Sequence, residues 1–131
     1  MLAAYSSYWH EKSTAYARAS IKGSRLKAYA VGEALAAAER ELAALSQQGY
    51  VATGRPQTAP RVGTVKSSGT VPSATISDCV DVSAWKLVDR ESQRPIALPK
   101  ERLTRYASTV TAERWEGRWV ILKATQENRT C

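Results

Sequence analysis

The sequence has a single histidine and only two cysteines in 131 residues, too few for a zinc centre. Zinc sites need close-set Cys or His pairs, whereas Cys79 stands mid-chain and Cys131 is the last residue. One histidine without a nucleophile elbow leaves no Ser-His-Asp set to argue. No glycine-rich phosphate loop appears, so no cofactor is expected. No apolar run approaches the roughly 20 residues that span a bilayer. Internal repeats, low-complexity tracts and any sign of a second domain are absent too. There is also no signal peptide, because Met1 leads straight into LAAYSSYWHEK, an amphipathic helical pattern. Such a start is expected of a cytosolic protein, or of an exported one whose signal has been removed.

What is present describes one ordinary globular domain over residues 1–131. Hydrophobic residues make up 44% and charged residues 24%, and the length suffices to bury a core. The net charge of +7 favours anionic partners such as nucleic acid, phospholipid headgroups or an anionic envelope surface. A plain basic surface accounts for it more simply. The basic residues are dispersed and no recognised module occurs, which places nucleic acid low among the partners.

Helical spacing of Tyr5, Tyr8, Trp9, Tyr16 and Ala19 predicts a first helix over Leu2–Ala19, its aromatic stripe in the core. His10, Glu11, Lys12 and Arg18 are expected on the wetter faces. Gly23 and Ser24 suggest a break, with Ser24 capping a short second helix over Arg25–Ala30. An alanine-rich third helix is predicted over Val31–Gln48, ending at Gly49, with Val31, Leu35, Ala38, Leu42 and Leu45 inward and Glu33, Glu39, Arg40 and Glu41 outward.

Residues 50–72 are rich in Gly, Pro, Thr and Ser. They predict strands at Tyr50–Thr53 and Arg61–Lys66 with turns at Gly54–Pro56 and Ser67–Gly69. This stretch holds Arg55, Arg61 and Lys66 and no acid. It is a candidate basic contact surface, although cations on edge strands also guard against aggregation, and that plainer reading is preferred.

The stretch Ser73–Asp89 alternates apolar and polar residues and is expected to be the central strand, continuing to Trp85 and Val88. Ala74, Ile76, Val80 and Val82 share one face, and Asp78 falls among them. Pro95–Pro99 reads as a short extended edge piece. Leu103–Trp115 and Arg118–Thr125 read as two strands joined by a tight Glu116-Gly117 hairpin. Tyr106, Val110 and Ala112 are expected on one face, and Val120, Leu122 and Ala124 on another. Helices followed by strands argue α+β, with three N-terminal helices packed on one curved antiparallel sheet. The terminal place of Cys131 favours a structural disulfide with Cys79 over two unrelated thiols.

Asp78 is the one candidate catalytic residue. Among apolar neighbours, desolvation would raise its pKa toward a general base's range. Alternatively it turns outward at a bulge, or is a structural acid hydrogen-bonded to a neighbour or paired with Arg105. Tyr16 and Tyr106 are candidate hydroxyl donors to the same pocket, and His10 fits either the pocket or an exposed face.

Tyr8-Trp9, Tyr29-Ala30, Ala34-Leu35, Asp78-Cys79-Val80-Asp81, Trp85, Thr104-Arg105-Tyr106, Trp119-Val120 and Cys131 together resemble the NTF2-like (cystatin-like) superfamily. Within it, the chain is most similar to small exported proteins and lipoproteins of actinobacteria, mostly of unassigned function. The resemblance implies helices filling the concave side of a bent sheet, a Cys79–Cys131 pair and a removed export signal. It also implies a homodimer through the open sheet face, for which Trp85, Trp115 and Trp119 are candidates. The expected function is a non-catalytic, exported binding or interaction module of the cell envelope, taking a protein or a small apolar ligand. The alternatives are a cofactor-free isomerase, dehydratase or hydrolase using Asp78, and an envelope component of a conjugation or secretion apparatus.

Overall fold

Helix α1, Leu2–Arg18, forms where the aromatic stripe recurs at helical spacing, and Tyr5, Tyr8, Trp9 and Tyr16 are all buried along it. These and the other elements come from a computed structural model that describes residues 1–131. Ala19 ends the helix in the left-handed conformation, its N–H returning to the carbonyls of Ala15 and Tyr16. Helix α2, Gly32–Gln48, follows its alanine-rich sequence and stops at Gly49. It buries Ala34, Ala38 and Leu42, while Leu35 and Leu45 pack half-buried against the same core.

There are two helices, not three. The short helix expected over Arg25–Ala30 is a single 3₁₀ turn, Leu26–Ala28. Six residues gain few helical bonds for the cost of nucleation. Here the backbone also has a competing partner. Tyr29 accepts the Ile121 N–H at 2.7 Å, and Val31 donates to the Ile121 carbonyl at 2.9 Å.

Six antiparallel strands follow: β1, Tyr50–Gly54; β2, Arg61–Lys66; β3, Ser73–Asp81; β4, Trp85–Asp89; β5, Arg105–Trp115; and β6, Arg118–Gln126. They do not form one sheet. One sheet runs β2-β3-β5-β6, and β1 pairs with β4 in a separate two-stranded ribbon. The stretch Ser73–Asp89 is therefore two strands rather than one. Asp81 breaks it by accepting the Ser83 N–H at 2.9 Å and the Ser83 hydroxyl at 2.6 Å. The same two bonds hold the Asp81 carboxyl below the usual range. The chain then turns into β4, where Trp85 faces Gly54 across the ribbon. A Cβ on Gly54 would lie 2.1 Å from the Ala84 carbonyl oxygen, so only glycine admits this approach. Ribbon and sheet stay joined by reciprocal backbone bonds between Gln57 and Asp81, both 2.8 Å.

β3 is central in its sheet, between β2 and β5. Its alternation holds from end to end, with Ala74, Ile76, Asp78 and Val80 buried and their neighbours more exposed. β5 and β6 are joined by Glu116 and Gly117, both at positive φ, as a tight hairpin of this sequence requires. The expected inward face Val120, Leu122, Ala124 is not continuous. Thr111 pairs with Lys123 and Ala112 with Ile121, leaving Leu122 as the extra residue of a bulge. Ile121 thereby enters the main core, and Ala124 comes opposite Val110.

The core lies between the helices and the inner sheet face, with Tyr5, Tyr8, Leu26, Ile76, Val80, Val110 and Ile121 fully buried. Trp85 and Trp119 pack half-buried against it, the core placement that stands beside the dimer-face reading for each tryptophan. Trp115 is 44% exposed. After β6 the tail runs on beside β5, where Glu127 donates to Ala107 and Ala107 donates to Arg129. Cys131 then crosses to the outer side of β3 and bonds to Cys79, with Cα atoms 5.8 Å apart.

Candidate functional site

An aromatic wall forms because α1 carries Trp9 and Tyr16 on the face that meets the start of β4. Trp85 stands edge-on to Trp9 with ring centroids 5.9 Å apart, and Tyr16 tilts onto Trp85 at 5.2 Å. The wall bounds a cavity of about 810 Å³ between α2, the β1–β4 ribbon and the ends of β5 and β6. Leu45, Ala52, Val82 and Leu87 continue the apolar lining, and residues 101–103 lie on its rim with Leu98. Its size falls within the range of small-molecule sites.

Polar groups converge at one part of the lining. The Tyr16 hydroxyl donates to Glu41 at 2.5 Å. Lys12 lies over three rings, its Nζ 4.7 Å from the Trp9 centroid, 5.5 Å from Tyr16 and 5.6 Å from Tyr8. Its hydrogen-bond contact is the Tyr8 hydroxyl at 3.5 Å. No carboxylate lies within 4.0 Å of it, the ion pairs of the molecule being His10–Glu11 and Arg40–Glu33. Tyr106 and Ser108 line the cavity from β5. Burial pushes the Tyr106 hydroxyl up to about 12, helped by acidic neighbours Tyr8, Glu41 and Asp78. Burial, then Glu41, raises the Tyr16 hydroxyl further, and burial with the Asp78 hydrogen bond does the same for Tyr5.

These three raised groups have an alkaline consequence. Their stabilising effect is complete below the unfolded tyrosine value near pH 10 and is lost as pH rises through the folded values. The unfolding midpoint should therefore drop by about 10 °C or more between pH 9.5 and 12. Tyr106→Phe should flatten the first part of that fall. A midpoint constant to pH 11.5 would contradict the buried placement of these hydroxyls.

The structure brings Tyr16 and Tyr106 to the cavity but leaves Asp78 outside its lining. Asp78 is 6% exposed, with one oxygen accepting the Tyr5 hydroxyl at 2.5 Å and the other the Ala59 N–H at 2.7 Å. Of the alternatives the sequence left open, this is the structural acid bonded to its neighbours, and Arg105 instead contacts Cys79 Sγ at 3.6 Å. His10 turns away from the cavity toward a small polar cleft with Arg55, Ser6 and Thr58, its side chain 51% exposed. Arg55, Arg61 and Lys66 are exposed, and none has a carboxylate within 4.0 Å.

Sequence reading leaves Lys12, Glu41 and Trp85 out of the pocket; Glu41 is exposed on α2 as expected and still reaches the lining. Lys12 was assigned to the wet side although it stands four residues from both Tyr8 and Tyr16, on their side of the helix. Its charge overrode a spacing that was there to be read.

No protein-family model matches the chain, and no curated protein matches it. A crystal structure of the intermembrane space region of chloroplast protein ARC6 resembles it with a TM-score of 0.57 at 17% identity. That match covers 95% of this chain and 91% of the other, and at this identity it speaks to fold alone.

Proposed function

We propose that this protein is a non-catalytic, exported binding module of NTF2-like shape whose cavity receives a small, largely apolar ligand. The cavity carries the reading: about 810 Å³ lined by apolar and polar side chains together, with polar groups gathered at Lys12, Tyr16 and Tyr106. Such a site buries an apolar body and orients it by a few polar contacts. The NTF2-like shape draws support from two helices lying against antiparallel strands with an open cavity between them. Export draws support from the Cys79–Cys131 disulfide, since such bonds persist in oxidising compartments. The catalytic alternative has less behind it. Both oxygens of Asp78 are occupied, and a base needs one free toward substrate.

Titration with the neutral fluorescent probe N-phenyl-1-naphthylamine tests the reading. Saturable enhancement at one site per chain is expected, together with a raised unfolding midpoint. Ala44→Trp and Ala124→Trp place bulk at the mouth, on residues already exposed, and should weaken binding about tenfold without lowering stability. No enhancement, or enhancement indifferent to both substitutions, would remove the cavity as a site.

A further inference from the structure

We propose that the ligand of this cavity carries a carboxylate, and that the Lys12 ammonium receives it. The inference rests on the cavity being a ligand site and adds the chemical class of its occupant.

Lys12 has an unusual setting among the 19 basic residues of the chain. It is half-buried, held on a platform of Tyr8, Trp9 and Tyr16, and it lines the cavity. An ammonium held over rings at a cavity wall still needs its donors satisfied and its charge balanced. The ring faces supply electrostatic attraction but accept no full hydrogen bond. The Tyr8 hydroxyl at 3.5 Å is at the outer limit of a hydrogen bond, so the three N–H donors are largely unspent. The platform also fixes the charge in position before any ligand arrives, which lowers the ordering cost of binding.

The other charges of the lining lack this setting. The Glu41 carboxylate holds the Tyr16 hydroxyl. Glu101 is exposed, and Arg102 beside it is half-buried but lies over no aromatic ring, unlike Lys12. Lys12 is thus the cation held on rings, where an acidic head can meet it while an aliphatic or aromatic body lies along Trp85, Leu87, Val82 and Leu45. A small monocarboxylic acid with an extended apolar body has this chemistry. A charge-assisted bond in a partly water-excluded site separates it from a neutral analogue.

The test compares dodecanoate, dodecanol and dodecylammonium, each kept below its micellar concentration, by displacement of the naphthylamine probe and by calorimetry. The intact protein should bind dodecanoate about tenfold to a hundredfold more tightly than dodecanol. Lys12→Met, which keeps an apolar stem on the aromatic platform, should bring dodecanoate down to the level of dodecanol and weaken dodecanol far less than dodecanoate. Lys12→Arg should retain the preference. Equal binding of dodecanoate and dodecanol by the intact protein overturns the carboxylate assignment while the cavity reading stands. Preference for dodecylammonium overturns it as well and points to Glu41 as the receiving group. Failure of all three ligands and of the probe overturns both readings together.

Discussion

Replacing Cys131 with serine is expected to lower the unfolding free energy by about 4 kcal/mol and the unfolding midpoint by about 15 °C. The bridge joins residues 52 apart, so β4, β5, β6 and the loops between them lie inside one closed loop. In the chain-entropy account, closing a loop of that length removes much of the freedom of the unfolded chain. The native contribution is smaller, because the tail is also held by backbone bonds between Ala107 and residues Glu127 and Arg129. Urea unfolding of Cys131→Ser, and of the double serine variant, should show the same loss as the parent protein does in reductant. Without reductant or denaturant, both thiols of the parent should resist alkylation. A loss under about 1 kcal/mol would mean that the tail bonds, not the bridge, hold this end of the sheet.

The second large effect belongs to Asp78. Asp78→Ala should cost about 3 kcal/mol, since it takes the acceptor from the Tyr5 hydroxyl in a site where Tyr5 is 1% exposed. The Ala59 N–H loses its partner too, but that residue is exposed and water can replace the carboxylate. Asp78→Asn keeps one acceptor and the side-chain volume, and should cost about 1 kcal/mol. Tyr5→Phe added to Asp78→Ala should restore part of the loss, giving a coupling energy above about 1 kcal/mol in the cycle. The outcome separates two roles for the residue. A carboxylate kept for chemistry is commonly replaced at little cost in stability, or at a gain. An Asp78→Ala variant within about 0.5 kcal/mol of the parent would remove the structural assignment.

Much of the molecule was legible residue by residue. The stripe of Tyr5, Tyr8, Trp9 and Tyr16 announced α1 and its buried face, because a helix returns the same side every three to four residues. Alanine density and Gly49 marked α2, and Glu116-Gly117 marked the hairpin. The alternation of Ala74, Ile76, Asp78 and Val80 put an acid into the core from pattern alone, and the structure keeps it there. The candidate site was harder to see. Tyr16 and Tyr106 line the cavity and Asp78 does not, while Lys12 lines it although its charge points to a wetter face. Charge predicts a wet environment on average, and it does so poorly for a side chain whose stem lies on aromatic rings.

What the sequence determined by itself is therefore local: which segments are helix or strand, which face of each is apolar, and where tight turns fall. These follow from interactions within a few residues, and the period of the pattern reports them directly. The tertiary structure alone decided that Tyr29 and Val31 spend backbone bonds on Ile121 instead of a helix, and that Asp81 ends β3 so that β4 joins β1. It alone decided that one extra residue at Leu122 turns Ile121 inward. The physical reason is common to all three. A strand's partner and register depend on groups far away in the chain, and a shift of one residue reverses every side chain beyond it. The cavity belongs with these, since its walls come from α1, α2, the ribbon and the sheet, and only their packing brings Lys12 before an apolar hollow.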